Sequence, residues 1–247
     1  MQTRERKRAD IVLVARNLVP SRQKARDIIA HSKLFADGIL VTKAGQLIDI
    51  DADISLDTKL LDYVSRGGLK LATALDVFDQ IDIENKICLD LGASTGGFSD
   101  VLLQRGAAYI YAVDVGHGQL ADKIKKNPKI VNLEKTNARD LSPSLIDQPP
   151  SVIVCDVSFI SLKIALPPAL TLASENADLL ALIKPQFEVG KAFIGKGGIV
   201  RSEDARQQVE TEICRFLTEQ GWHIRGICPS PIKGPDGNQE VIVAAYK

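Results

Sequence analysis

The run Cys88-Leu-Asp-Leu-Gly-Ala-Ser-Thr-Gly-Gly-Phe-Ser99 leaves a chain few ways to fold. Ile87, Leu89 and Leu91 supply the apolar positions of a short buried strand. Gly92, Gly96 and Gly97 then mark a turn where the backbone bends sharply or comes close to something. A helix opens directly after it, and the unpaired N–H groups of its first turn would point at a ligand. Strand, glycine turn and helix in this order predict a nucleotide-type cofactor corner on an α/β sheet. The dinucleotide pattern G-x-G-x-x-G is broken, because position 94 is Ser, and that weakens a dehydrogenase.

The rest of the chain after Lys86 alternates in the same way. Apolar runs predict strands over 86–91, 108–114, 129–133, 151–156, 178–184, 222–228 and 239–246. Helices are expected near 97–105, 118–126, 161–174 and 201–220. Such alternation implies a mostly parallel sheet covered on both faces. The Pro/Gly/Asn-rich loop after Cys228 predicts a hairpin that adds one antiparallel strand. Polar groups fall at successive strand ends. Asp114 lies 22 residues after Gly92, a spacing that suits a ribose-binding carboxylate. Thr136-Asn-Ala-Arg-Asp140 follows the third strand, where an adenine contact would fall, and Asp156 ends the fourth. Helix capping explains any one of these groups, but not all of them in register.

Net charge is zero over 247 residues, yet residues 1–33 hold nine Lys/Arg against three acids. A segment of +6 on a chain that is −6 elsewhere suggests a module for a polyanion. Residues 1–8 are expected to be a frayed basic tail. A first helix follows from Asp10 to Leu18, and a second from Arg22 to His31 with Ser21 as its N-cap. Small strands with turns at Asp37-Gly38 and Ala44-Gly45 complete the module. Acids at 51, 53, 57 and 62 suggest a linker, so domains are expected over 1–62 and 63–247. Tyr63 to Lys70 opens a helix running to Phe78. Gly67 and Gly68, just before it, suggest a close approach to the cofactor.

Other functions find little support. Cys88, Cys155, Cys214 and Cys228 show no C-x-x-C spacing, so neither disulfides nor zinc are expected. His31, His117 and His223 are scattered, and no metal is expected. Neither a signal peptide nor a membrane-length apolar run is evident, so a soluble, cytoplasmic protein is expected. Gly190-Lys-Ala-Phe-Ile-Gly-Lys196 fits G-x-x-x-x-G-K. However, Gly197 stands where a P-loop needs Ser or Thr, so a basic glycine loop is expected.

Several motifs carry a resemblance. Arg8-Ala-Asp10, Ser21-Arg-Gln-Lys-Ala-Arg26 and Gly38-Ile-Leu-Val-Thr-Lys43 resemble the small RNA-binding domain shared by a ribosomal small-subunit protein, pseudouridine synthases and tyrosyl-tRNA synthetases. Ala9 departs from the leucine usual there. This likeness implies that Arg6, Lys7, Arg8, Arg22, Lys24 and Arg26 face RNA phosphates, which bind without reading sequence. Asp90-Leu-Gly-Ala-Ser-Thr-Gly-Gly-Phe98 is similar to the first motif of FtsJ-like methyltransferases, with Thr95 in place of proline.

Longer blocks look like the TlyA (haemolysin A) family of ribosomal RNA 2′-O-methyltransferases over nearly the whole chain. These are Ser65–Lys70, Ala112–Leu120, Cys155–Leu162, Leu182–Gly190 and Gly197–Arg201. The resemblance implies a Rossmann-like α/β domain with a seven-stranded sheet, mostly parallel with one antiparallel strand, after a small α+β RNA-binding domain. It implies S-adenosylmethionine as methyl donor and a ribose 2′-hydroxyl of ribosomal RNA, of cytidine, as acceptor. Cofactor contacts are then expected from Arg66, Gly67, Gly68, Asp90, Gly92, Ser94, Thr95, Gly96, Gly97, Phe98, Asp114, Asn137, Ala138 and Asp156. The Lys-Asp-Lys-Glu tetrad of FtsJ-like enzymes falls on Lys70, Asp156, Lys184 and Glu240.

A ribose hydroxyl is a poor nucleophile until a base takes its proton. A lysine can serve when burial or a neighbouring cation favours its neutral form. Lys184 directly follows Leu179-Leu-Ala-Leu-Ile183 and is the expected base, with Lys70, Asp156 and Glu240 orienting the hydroxyl and tuning it. Two alternatives are a membrane-active haemolysin, as the family's older name suggests, and a non-catalytic ribosome-assembly RNA binder. The first lacks a membrane-seeking segment in this sequence, and the second is at odds with the intact tetrad.

Overall fold

The computed structural model describes residues 5–31, 34–56, 63–190, 193–234 and 236–247. Asp57 and Asp62 of the expected linker, and Lys191 and Ala192 of the glycine loop, lie outside them. The chain divides into two units, Met1–Arg66 and Gly67–Lys247.

The first unit begins with β1 (Arg6–Arg8), α1 (Ala9–Ala15) and α2 (Arg22–His31). Short strands follow: β2 (Leu34–Ala36), β3 (Ile39–Val41), β4 (Leu47–Asp49) and β5 (Ile54–Leu56). Asp37 and Gly38 both take positive φ, which matches the twist of the β2–β3 hairpin. Ser21 caps α2, its hydroxyl accepting the Lys24 N–H at 3.2 Å. Val12 and Leu13 from α1, Ala25, Ile28 and Ile29 from α2, and Leu34, Val41 and Ile48 from the strands are buried. The expectation of a frayed tail over residues 1–8 is corrected at its end. Arg6–Arg8 pairs antiparallel with β4, Arg6 opposite Asp49. Three consecutive cations carry no apolar alternation, so only the partner strand makes this segment a strand. The first helix stops at Ala15 rather than Leu18, because Asn17 adopts the left-handed conformation.

The second unit holds one seven-stranded sheet. Its strands are β6 (Ile87–Leu91), β7 (Tyr109–Asp114), β8 (Ile130–Glu134), β9 (Val152–Cys155), β10 (Asp178–Ile183), β11 (His223–Pro229) and β12 (Val241–Tyr246). Their order is β11-β12-β10-β9-β6-β7-β8. Neighbours from β10 to β8 pair in parallel, and β12 pairs antiparallel with both β10 and β11. The one antiparallel strand is therefore the last, as the hairpin loop predicts. The central strands are buried along nearly their whole length, which is why they read as continuous apolar runs. Among the described residues no helix is long and apolar enough to cross a membrane.

The helices of this unit are α3 (Gly67–Val77), α4 (Gly97–Gln104), α5 (Asp122–Lys125), α6 (Leu162–Ala165), α7 (Pro167–Leu172), α8 (Pro185–Glu188) and α9 (Glu203–Glu219). Gly67 and Gly68 form the first turn of α3 rather than preceding it. The helix expected over 118–126 shrinks to α5, because Gly118 is left-handed and Ala121 extended. The one expected over 161–174 splits at Pro167 and Pro168, which have no N–H to continue α6 but suit the first turn of α7. Ser202 caps α9, whose Ala205, Val209, Ile213 and Leu217 recur every four residues and are buried.

Candidate active site

Strand order reverses between β6 and β9, so the loops at their carboxyl ends diverge and leave a crevice. A cavity of about 660 Å³ lies there, lined from the ends of β6, β7, β8 and β9. Gly92 is its floor, at φ +79; a Cβ there would sit 2.7 Å from the backbone oxygen of Asp156. Only glycine allows these two strand ends to come so close. Asp114 is held at the rim, its Oδ2 accepting the Ser94 N–H at 2.7 Å and its Oδ1 the Gly116 N–H at 2.6 Å. Asn137 caps the turn Ala138–Asp140, its Oδ1 accepting the Arg139 N–H at 3.0 Å. Val113, Ala138 and Ile160 add apolar wall. A carboxylate, a backbone cradle and apolar walls in a volume of this size suit a nucleoside-bearing cofactor.

The expected cofactor residues divide. Gly92, Ser94, Asp114, Asn137, Ala138 and Asp156 line the cavity. Asp90 is not on its wall; it is fully buried behind it and accepts the Ser99 hydroxyl at 2.6 Å. Burial pushes its carboxyl up to about 7, against the pull of the Ser99 hydrogen bond. Thr95 is also off the wall, and its carbonyl accepts the Ala121 N–H at 3.1 Å. Gly96 (φ +92) packs against Leu120 and Ile124, and Gly97 and Phe98 are buried in the first turn of α4. These positions shape the loop from behind. Gly67 and Gly68 belong to α3 and are off the wall, while Arg66 ends the first unit.

Lys70, Asp156, Lys184 and Glu240 come together although they start 170 residues apart. Lys70 rises from α3, Asp156 follows β9, Lys184 follows β10, and Glu240 precedes β12. Lys70 Nζ donates to Glu240 Oε2 at 2.7 Å and lies 3.7 Å from Asp156 Oδ2. Lys184 Nζ lies 2.6 Å from Asp156 Oδ1. The order in space is Lys184, Asp156, Lys70, Glu240, a row of alternating charge. Both lysines are 7% exposed and Glu240 is fully buried. Lysines are seldom so deep unless paired. Asp156 joins the two halves of the site, because it touches both lysines and also lines the cavity.

Two features here escape the sequence. Ser158 accepts a hydrogen bond from Lys184 Nζ at 2.7 Å. Phe159, at φ +65, is 90% exposed on the cavity wall, with its ring centroid 5.1 Å from that of Phe187. Both stand in the quoted run Cys155–Leu162, but only the folded loop shows what they face.

In the first unit, Asp10 is fully buried and gathers the expected RNA-facing arginines. Arg8 donates to it through Nε at 2.9 Å and Nη2 at 3.2 Å. Arg22 donates at 3.2 and 2.9 Å, and Arg26 lies 3.8 Å away. The Arg8 hydrogen bond, with help from Arg22, holds the Asp10 carboxyl down at about 2 against the effect of burial. The three guanidinium side chains stay about half exposed. Lys24 Nζ donates to the Tyr63 carbonyl at 2.7 Å, Lys7 pairs with Glu5 at 2.9 Å, and Arg6 is exposed on β1.

Comparison with known proteins supplies the family. The model of the FtsJ-like methyltransferases matches residues 63–247. The chain is 44% identical over 239 residues to the 16S/23S rRNA (cytidine-2′-O)-methyltransferase TlyA of Mycobacterium tuberculosis, covering 95% of this chain and 88% of that one. It is 41% identical to Hemolysin A of Brachyspira hyodysenteriae, covering 95% and 98%. A solved structure of a hemolysin-named protein from Streptococcus thermophilus superposes with a TM-score of 0.77 at 37% identity, covering 99% and 90%.

Proposed function

Since the chain belongs to the FtsJ-like methyltransferases, we propose that it 2′-O-methylates ribose in ribosomal RNA, at cytidine, in the cytoplasm. The observation that carries this reading is Asp156, one carboxylate shared between the cofactor cavity and two buried lysines. S-adenosylmethionine, when bound, supplies an electrophilic methyl group. Asp114 would hold its ribose, Gly92 and Ser94 its backbone-facing side, and Asn137 and Ala138 its adenine end.

This chain's own residues do the rest. Lys184 Nζ, acting from its neutral amine form, would take the proton of the acceptor hydroxyl as that oxygen bonds to the methyl group, whose bond to the sulfonium sulfur breaks to leave S-adenosylhomocysteine. Asp156 holds Lys184 beside the cavity, and Lys70, fixed by Glu240, faces Asp156 from the other side. Side chains buried and paired in this way keep their geometry while the proton moves onto Lys184. Phe159 offers an exposed aromatic face on the same wall, which suits an acceptor base drawn out of its stack. Residues 1–62, within the first unit, serve as an RNA-binding domain, with Arg6, Lys7, Arg8, Arg22, Lys24 and Arg26 toward phosphates; residues 63–247 form the methyltransferase domain.

The test is to incubate the full chain and labelled S-adenosylmethionine with each ribosomal subunit, naked and assembled, and to map 2′-O-methyl marks. A cytidine marked by the wild type and not by Lys184→Ala is expected. No mark on any of these substrates sinks the reading.

A further inference from the structure

We propose that Ser158 is a positioning residue for the reaction, its hydroxyl fixing the direction in which Lys184 presents its lone pair to the acceptor. The inference rests on the reading of Lys184 as the base.

A lysine amine sits at the end of a single bond and turns freely unless something fixes it. Asp156 Oδ1, at 2.6 Å, supplies charge but no aligned hydrogen bond: among the described residues this buried oxygen has no hydrogen-bond partner. The aligned bond of Lys184 goes to Ser158 Oγ, at 2.7 Å. Nitrogen is tetrahedral. In the neutral amine, one N–H committed to Ser158 fixes the turn about the Cε–Nζ bond, and the negative Asp156 carboxylate then favours the second N–H on its own side and the lone pair in the position that remains. Ser158 lines the cavity together with Asp156, so the residue that orients the base belongs to the cavity wall.

The loop that carries Ser158 is gripped by the segment that carries Lys184. The Phe187 ring packs against Phe159. Glu188 Oε2 accepts the Ser161 hydroxyl at 2.6 Å, and its Oε1 accepts the Leu162 N–H at 2.8 Å. Contacts from residues 184, 187 and 188 thus reach residues 158, 159, 161 and 162. Within that grip Phe159 is held at a left-handed φ that a bulky side chain rarely adopts. An unheld loop would relax from it, and Ser158 would move off Lys184.

The full chain is compared as wild type, Ser158→Ala, Ser158→Thr and Lys184→Ala. The measurements are single-turnover rate and KM for the ribosomal subunit that the wild type marks, calorimetric affinity for S-adenosylhomocysteine, and crystal structures of the Ser158 variants. Ser158→Ala is expected to lose roughly 10–100-fold in rate. Its KM and cofactor affinity stay within about twofold, and Lys184 Nζ turns to a new direction. Ser158→Thr keeps the hydroxyl and recovers most of the rate. A Ser158→Ala enzyme at the wild-type rate, beside an inactive Lys184→Ala, overturns the inference and leaves the reading of the base intact. Equal losses in both Ser158 variants with weakened cofactor affinity make Ser158 merely structural, which also overturns it. Full activity in Lys184→Ala removes the underlying reading instead.

Discussion

Each unit of this molecule buries a carboxylate among cations, with opposite results. In the first unit one buried acid, Asp10, faces three arginines that remain about half exposed. In the second, two lysines only 7% exposed are interleaved with Asp156 and Glu240. The first cluster has more cations than acids and shows the surplus to solvent. The second has as many acids as cations and leaves little of either exposed. Surplus positive charge at a surface attracts phosphate at range and fades with salt. Balanced charge out of water attracts nothing distant, but it holds donors and acceptors in fixed directions. One arrangement suits capture and the other suits chemistry, and variants in each should separate the two.

Lys184→Ala should have the largest effect. Methyl transfer should fall by about a thousandfold or more, while affinity for ribosomal RNA stays near the wild-type value. The check is a single-turnover assay beside a filter-binding measurement. A parallel fall in both would merge the two clusters into one function.

Glu240→Gln comes next. Glu240 Oε2 accepts from Lys70, and Gly234 packs so closely that a Cβ there would lie 2.5 Å from Oε1. Gln keeps the shape and removes the charge, so Lys70 is left to Asp156 alone. A drop of roughly 10–100-fold in kcat with little change in KM is expected. An unchanged kcat would show that the row needs only three members.

How much of this was visible in the sequence follows from what each element depends on. The parallel strands are legible because buried strands read as apolar runs, whereas Lys70, Asp156, Lys184 and Glu240 are picked out by a family resemblance and lie on one helix and three strand ends that no spacing brings together. Arg6–Arg8 is not legible, since a cationic strand exists only through its partner β4. The helix α8 has only four residues, too few to show an apolar period, and Pro185 occupies its first helical position. Asp90 looked like a cofactor ligand by its place in the motif, yet it turns behind the loop to Ser99. Ser158 and Asp10 stood inside quoted motifs, but their roles depend on contacts across 26 and 12 residues that spacing does not encode.

Asp10→Asn tests the capture cluster at its centre. The neutral amide no longer draws Arg8 and Arg22 together, so RNA affinity should fall by about tenfold while kcat on bound substrate is kept. Stability supplies a second readout. The folded Asp10 carboxyl is held down at about 2, below its ordinary 3.8, so its contribution is fully present above about pH 4 and is lost as pH falls through about 2. The variant should therefore melt earlier than the wild type at pH 7, and the gap should close in strong acid. A gap that is constant with pH would mean that the carboxylate charge is not what holds the arginines.

Arg22→Ala should have the smallest effect and sharpen the contrast furthest. Asp10 keeps Arg8 as its partner, so the fold survives and one exposed guanidinium is lost. If Arg22 neutralises one phosphate, RNA affinity should weaken by several fold at low salt. The slope of log affinity against log salt should then shrink by about one contact. Methyl transfer at saturating RNA should not change, because the lysine row lies in the other unit. A weaker affinity with an unchanged salt slope would mean that Arg22 serves the packing around Asp10 rather than the phosphates, and the exposed surplus would then fall to Arg8 and Arg26.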